Sequence, residues 1–316
     1  MTPNAILSAV ASALATLVVA STTHAADISI EPVMSFGSEG NDEGQFGYVE
    51  DFAFTADGHL LVTDASHAYV QVFDQTTGAY ITRFGGHGDF DEHLEKPEGI
   101  AVAPNGDIYV ADYQSGYIKV YSPEYEWLRT FSGYGSEPGQ TIKSEFMDIH
   151  EGRLYVPEAG NHRISVFDLD GTFLFAFGEH GTGDGQIDNP ESAKFNSAGA
   201  LYVADLKNDR VVVYDAEGTV QFIFGETGSE PGQLSRPAGI SFDAADNVYV
   251  TEIGNDRVSV FTSDGTFLTS WGSKGEAEGQ FGNLHGIILN PETGRIYVAD
   301  TANNRVQVFR TSVTAN

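Results

Sequence analysis

Four glutamates and one histidine hold the same place in a pattern that recurs every 46 to 48 residues: Glu50, Glu98, Glu145, Glu191, then Ala238, then His285. The full form of the pattern is Pro-x-Gly, as in Pro97-Glu98-Gly99 and Pro237-Ala238-Gly239. The third unit is two residues shorter in the turn that follows, so Glu145 rests on the least regular alignment. Carboxylates with a neutral imidazole form a donor set for a hard or borderline divalent ion, Ca²⁺, Mn²⁺, Fe²⁺ or Zn²⁺. Two carboxylates 6 Å apart at an effective dielectric of 20 repel by about 3 kcal/mol. Four brought to one place would therefore need protonation, dilution by water and distance, or a cation among them.

A second set stands where a regular motif fails. Four units carry Asn-x-Arg after their second strand: Asn161-Arg163, Asn208-Arg210, Asn255-Arg257 and Asn303-Arg305. Those residues are expected to be structural, capping turns and bridging to the acid that ends the preceding strand. The first two units read His67-Ala68-Tyr69 and Ser115-Gly116-Tyr117 instead. His67, Tyr69 and Tyr117 offer a general acid/base and phenolic donors, and stand as the catalytic candidates. The loop over 85–95 gathers His87, Asp89, Asp91, Glu92 and His93, and is expected to be a solvated loop rather than a lid or second ion site. Asp168-Leu169-Asp170-Gly171 begins like a calcium loop but lacks the remaining ligands, and reads as a hairpin turn. The glycine-rich stretches 133–139 and 178–185 recur as connections between units, without the strand–loop–helix context of a phosphate cradle. No G-x-S-x-G and no H-E-x-x-H occurs, so neither a serine-hydrolase elbow nor a helical zinc protease is supported.

Composition narrows the partners. The 316 residues include 45 Asp+Glu against 16 Lys+Arg, a formal net charge of −29, and no Cys. Such a chain repels nucleic-acid phosphate and anionic membrane surfaces. Without Cys there is no disulfide, thiolate zinc site or Cys nucleophile. A hydrophobic share of 41% is that of a folded globular protein. Residues 5–20 are an uncharged, Ala-rich run ending in small residues, shorter than a spanning helix. They point to a signal peptide over 1–26, despite an n-region without Lys or Arg. The mature chain, 27–316, is expected to be exported, periplasmic or secreted, with no membrane span after cleavage, and monomeric.

The elements that must position these residues are written as repeats. An aromatic-Gly pair recurs at Phe36-Gly37, Phe84-Gly85, Phe177-Gly178, Phe224-Gly225 and Trp271-Gly272, with Phe131 and Gly133 a looser copy. The tetrapeptides LVTD, YVAD, YVPE, YVAD, YVTE and YVAD, and the runs VQVF, IKVY, ISVF, VVVY, VSVF and VQVF, follow in the same order six times. Each unit divides into four short strands separated by Gly/Asn/Asp turns, as in 99–103, 107–112, 117–121 and 127–131. This predicts an all-β, six-bladed β-propeller of four-stranded antiparallel blades. The sixth unit lacks its fourth strand, while residues 28–37 have no unit of their own. The N-terminal strand should therefore complete the last blade and close the ring.

Residues 236–272 and 284–309 resemble NHL repeats, and the resemblance extends over 28–316. It implies that the x of Pro-x-Gly faces the mouth of the central channel, so that Glu50, Glu98, Glu145, Glu191 and His285 converge there. It also places His67, Tyr69 and Tyr117 near that mouth. In the similar gluconolactonase/senescence-marker group a metal at this place is held by Glu, Asn and Asp. Glu50 and Glu98 match the Glu position, whereas no match to the Asn and Asp is found. In amidating-lyase-type propellers His residues hold zinc here, and only His285 matches. NHL propellers include scaffolds, binders and enzymes, so the fold does not decide the activity. Two functions are expected. One is a metal-dependent hydrolase or lyase, lactonase- or esterase-like, acting on a small molecule or peptide at the channel mouth. The other is a non-catalytic propeller whose top face binds a protein or glycan.

Overall fold

The computed structural model describes residues 27–314. The expected signal peptide, 1–26, lies outside the described residues. The chain forms six four-stranded antiparallel sheets, five of them from consecutive strands. In the second blade the strands run Pro97–Val102, Ile108–Asp112, Tyr117–Tyr121 and Trp127–Ser132. The sixth sheet is completed from the other end of the chain. Asp27–Phe36 pairs antiparallel with Arg305–Thr314, from Ile28 opposite Val313 to Phe36 opposite Val306. The ring is thus closed by the N-terminal strand, which also covers an edge that would otherwise be free. The only helical turns among the described residues are short 3₁₀ pieces, Leu206–Asn208 and Thr301–Asn303.

Burial explains the strand sequences. The second strand of each blade is sandwiched by neighbours on both sides, and 108–112, 201–205 and 248–252 are buried at every residue. Such strands read as near-continuous apolar runs. Outer strands alternate in exposure, as in Phe173–Phe177. The Tyr of YVAD bolts one blade to the next. Tyr109 donates its hydroxyl proton to Leu169 O at 2.7 Å, Tyr155 to Ala216 O at 3.1 Å and Tyr202 to Ser263 O at 2.7 Å. Tyr297 donates to Gln75 O at 2.6 Å, joining the last blade to the first. A buried hydroxyl that finds a partner adds a directional bond to the large apolar area of the ring.

The Asn-x-Arg residues are structural, as their repetition implies. Asp205 is fully buried and accepts from Asn208 Nδ2 and Arg210 Nε, each at 2.8 Å. Arg210 also donates to Gln186 O at 2.8 Å. The fifth and sixth blades repeat this with Glu252–Arg257 at 2.7 Å and Asp300–Arg305 at 2.6 Å. In the four blades that carry Asn-x-Arg the buried acid of the tetrapeptide is thereby paired and hydrogen-bonded, the condition under which a buried charge is tolerated. Asp168 lies in a hairpin turn, accepting from the backbone N–H groups of Asp170 and Thr172.

Candidate functional site

The innermost strands pack so closely at the axis that backbone geometry fixes the ring. A Cβ added to Gly99 would lie 2.0 Å from Glu145 O, and one added to Gly286 would lie 2.0 Å from Glu50 O. Glycine is therefore required at these two passages of one inner strand past the next blade's ring residue. Glu145 holds the ring position despite the irregular third unit. Its N–H donates to Pro157 O, and Phe146 N–H donates to Glu191 O at 3.0 Å. Glu50, Glu98, Glu145, Glu191 and His285 all line one cavity of about 500 Å³. Each is buried, between 3% and 8% exposed. The fifth blade's Ala238 packs instead with Leu206 and Ile253, so one side of the mouth is apolar.

His285 has a defined tautomer. Its Nδ1 is 3.1 Å from Thr301 Oγ1, and that hydroxyl gives its own proton to Val49 O at 2.8 Å. Nδ1 must then carry the hydrogen, which leaves the Nε2 lone pair unused. Burial, with Arg236 and Lys96 nearby, pushes His285 down to about 3. The ring is therefore neutral at ordinary pH, and its free nitrogen is suited to ligate rather than to take up a proton. Glu50 Oε2 lies 3.6 Å from Nδ1.

The carboxyls divide into unlike states. Burial raises all four, and their mutual repulsion adds to it for Glu50, Glu145 and Glu191. Glu50 and Glu145 stand well above the ordinary carboxyl range, and Glu191 is pushed up to about 8. Glu98 and Glu145 are hydrogen-bonded to each other, a contact that lowers Glu98 and raises Glu145. The shared proton thus sits on Glu145. Glu98 is also ion-paired with Lys96. Burial opposes the Lys96 charge, but Glu98, Glu50 and Glu145 outweigh it and hold the amine protonated. Glu145 Oε2 is buried and has no hydrogen-bond partner.

Sequence reading missed the second tier of the mouth. Tyr48, Lys96, Asn189 and Arg236, each two residues before a ring position, line the cavity together with Tyr113 and Lys207. The signal was available, since the residue before Pro-x-Gly recurs as regularly as the ring itself. Lys96 Nζ sits 4.0 Å over the Tyr113 ring. Burial and the surrounding glutamates raise Tyr48 and Tyr113, which stay protonated as phenolic donors.

His67, Tyr69 and Tyr117 are not brought to the mouth. His67 Nδ1 is 2.8 Å from Asp64 Oδ2, the place that Asn holds in later blades. His67 and Tyr69 line a separate depression with Asn41, Ser66, Arg83 and His87, and Arg83 lies 4.2 Å over the Tyr69 ring. Tyr117 lines a third depression beside Asp89, Phe90 and His93. The first two blades bond their buried acids in other ways, Asp64 through His67 and Asp112 through the Gln114 and Ser115 N–H groups.

The donor types of the mouth fit a divalent cation: four carboxyls, a neutral imidazole with a free nitrogen and an orphaned buried carboxyl oxygen. Their spacing is open rather than caged. Among the described residues, the one trio of His, Asp or Glu side chains with ligating atoms all within 4.8 Å of one another lies elsewhere. Glu50 with His285, and Glu98 with Glu145, form two facing pairs instead.

The family model described as NHL repeat matches residues 94–121 and 281–309. Those two segments are NHL repeats. The chain is 32% identical over 145 residues to Protein brain tumor of Drosophila melanogaster, a match over 45% of this chain and 14% of that protein. The chain therefore spans about one seventh of that relative's length. Among solved structures, a structural genomics protein of unknown function from Bacteroides thetaiotaomicron aligns with a TM-score of 0.69 at 15% identity, over 90% of this chain and 77% of that one. Virginiamycin B lyase from Staphylococcus aureus aligns with a TM-score of 0.64 at 15% identity, over 90% and 99%. A streptogramin B lyase aligns with a TM-score of 0.63 at 13% identity, over 90% and 98%. At these identities the likeness is one of fold. No helix among the described residues is long and apolar enough to cross a membrane.

Proposed function

We propose that this NHL propeller is an exported enzyme that binds a divalent cation at Glu50, Glu98, Glu145, Glu191 and His285 and acts as a hydrolase or lyase on a small molecule or peptide. The observation that carries the reading is the convergence of five buried ionisable groups on one cavity of about 500 Å³. When bound, the ion supplies Lewis-acid polarisation of a carbonyl or a more acidic water. The chain's own groups supply the rest. Glu98, ionised beside Lys96, is placed to accept a proton. Glu145 holds a proton that it can give. Lys96 and Arg236 bind an anionic or carbonyl group of the substrate, and Tyr48 and Tyr113 donate hydrogen bonds to it. A lyase among proteins of the same fold supports the reaction class by analogy only. The uncharged run over 5–20 supports export.

A second reading, a binding scaffold for a protein or glycan, draws on Phe90 and Tyr134. They are 71% and 64% exposed, in the loops that lead into Glu98 and Glu145. Metal analysis of the mature protein after equilibration with Ca²⁺, Mn²⁺ and Zn²⁺ separates the two. The enzyme reading expects a stoichiometric ion that is lost in Glu98→Gln and His285→Ala. Absence of any such ion, or retention in both variants, removes it.

A further inference from the structure

We propose that His162, His180 and Asp188 form a second, separate site for a transition-metal ion of the Zn²⁺ class, at the seam between the third and fourth blades. These are the three side chains whose ligating atoms lie within 4.8 Å of one another. His162 Nδ1 is 3.2 Å from Asp188 Oδ1, and His180 Nε2 is 3.4 Å from Asp188 Oδ2. The two imidazole centroids are 4.4 Å apart. Two nitrogens and one carboxylate oxygen suit Zn²⁺, with water completing a tetrahedron.

A second observation points to a missing cation. Asp188 Oδ1 is buried and accepts no hydrogen bond, although the Lys207 amine stands 3.5 Å away. His162 Nδ1 faces it while accepting a hydrogen bond from Asn189 N–H at 3.2 Å, so that nitrogen has no proton to offer. An acceptor nitrogen and an acceptor oxygen therefore lie 3.2 Å apart with no proton between them, an arrangement that a positive ion drawing the Nδ1 lone pair away from Asn189 N–H relieves.

The neighbouring seam shows that these residues are not needed for the fold. The same three places one blade later are Asp209, Thr227 and Ser235, which together offer a single good ligand. There Asp209 accepts Arg236 N–H at 2.7 Å and the Thr227 hydroxyl at 2.8 Å. The turn thus needs only an acceptor at the His162 position. Two imidazoles beside Asp188 are specific to this seam among the described residues. The site would tie the third blade's loop to the segment entering Glu191, and it does not depend on the channel-mouth reading.

The test is a calorimetric Zn²⁺ titration of the full mature chain, with its His162→Asn, His180→Ala, Glu98→Gln and His285→Ala variants. Asn suits the left-handed backbone at 162 (φ 53°) and keeps an acceptor for Asn189. His180 is largely exposed, so its truncation leaves the fold intact. The expected result is a Zn²⁺ equivalent whose affinity falls at least tenfold in both His162→Asn and His180→Ala and is unchanged in the two mouth variants. The proposal is overturned if wild type binds no Zn²⁺ below millimolar concentration, or if neither seam variant weakens binding. Loss in the mouth variants alone would place the ion in the channel and equally overturn it. Failure of the channel reading, with no Ca²⁺ or Mn²⁺ bound, leaves this result standing.

Discussion

His285 Nδ1 lies 3.6 Å from Glu50 Oε2 across the seam where the last blade meets the first. The two residues come from opposite ends of the repeat array. They meet because the N-terminal strand completes the sixth blade, and because Gly286 N–H donates to Glu50 O at 3.0 Å beside them. Ring closure and the chemistry of the mouth are therefore built from the same contacts. Tyr297→Phe removes the hydroxyl that bridges this seam to Gln75 O. It is expected to cost about 1 kcal/mol, measured as a lower denaturant midpoint with an unchanged slope.

The close approach of the inner strands should be equally sensitive. Gly99→Ala drives a Cβ to 2.0 Å from the Glu145 carbonyl oxygen. Backbone cannot yield as a flexible side chain does, so a loss of about 3 kcal/mol or more is expected. Thermal unfolding of the variant checks this. A stability equal to wild type would mean that the inner strands pack less tightly than the structure has them.

Arg257→Ala leaves the buried Glu252 carboxylate without its cation, although Asn255 and Ser259 still donate to it. Breaking such a pair costs roughly 3–5 kcal/mol, read by chemical denaturation. Ion binding at the mouth should be unaffected in the fraction that remains folded, since Arg257 does not line it.

Without bound cation, Glu191 makes stability fall as pH rises. Its folded value of about 8 lies above the ordinary carboxyl value, so the folded chain keeps a proton that the unfolded chain releases. The stabilisation is complete below about pH 4.5, declines through the interval and is lost above about pH 8. Glu191→Gln cannot ionise and should escape this loss. Relative to the wild type it should gain on the order of 3 kcal/mol between pH 5 and pH 9. Denaturation curves at the two pH values, in the presence of chelator, supply the comparison.

The blades were legible because each strand of a propeller has a fixed burial, and burial imposes residue type. YIKVY over 117–121 is a strand with those same ends. The strand expected over 99–103 begins instead at Pro97, because Pro97 already pairs with Asp112. The ring glutamates were legible for a related reason: a repeat places equivalent residues on one axis. His67, Tyr69 and Tyr117 illustrate the limit. A break in a motif marks a difference between blades but not its direction, and here the buried Asp64 takes His67 as a hydrogen-bond partner. The His162, His180 and Asp188 trio was invisible for the opposite reason. Its members fall in three unlike loops, and only the seam between two blades brings them together.

The central claim is tested most directly by titrating Ca²⁺ and Mn²⁺ into the chelator-treated mature protein while following heat and proton release. The account predicts one tightly bound equivalent, an affinity that rises with pH toward about 8 as Glu191 ionises, and protons released on binding at pH 7. It also predicts loss of that equivalent in Glu98→Gln and in His285→Ala. No stoichiometric ion, or an ion bound equally by wild type and both variants without proton release, would contradict it.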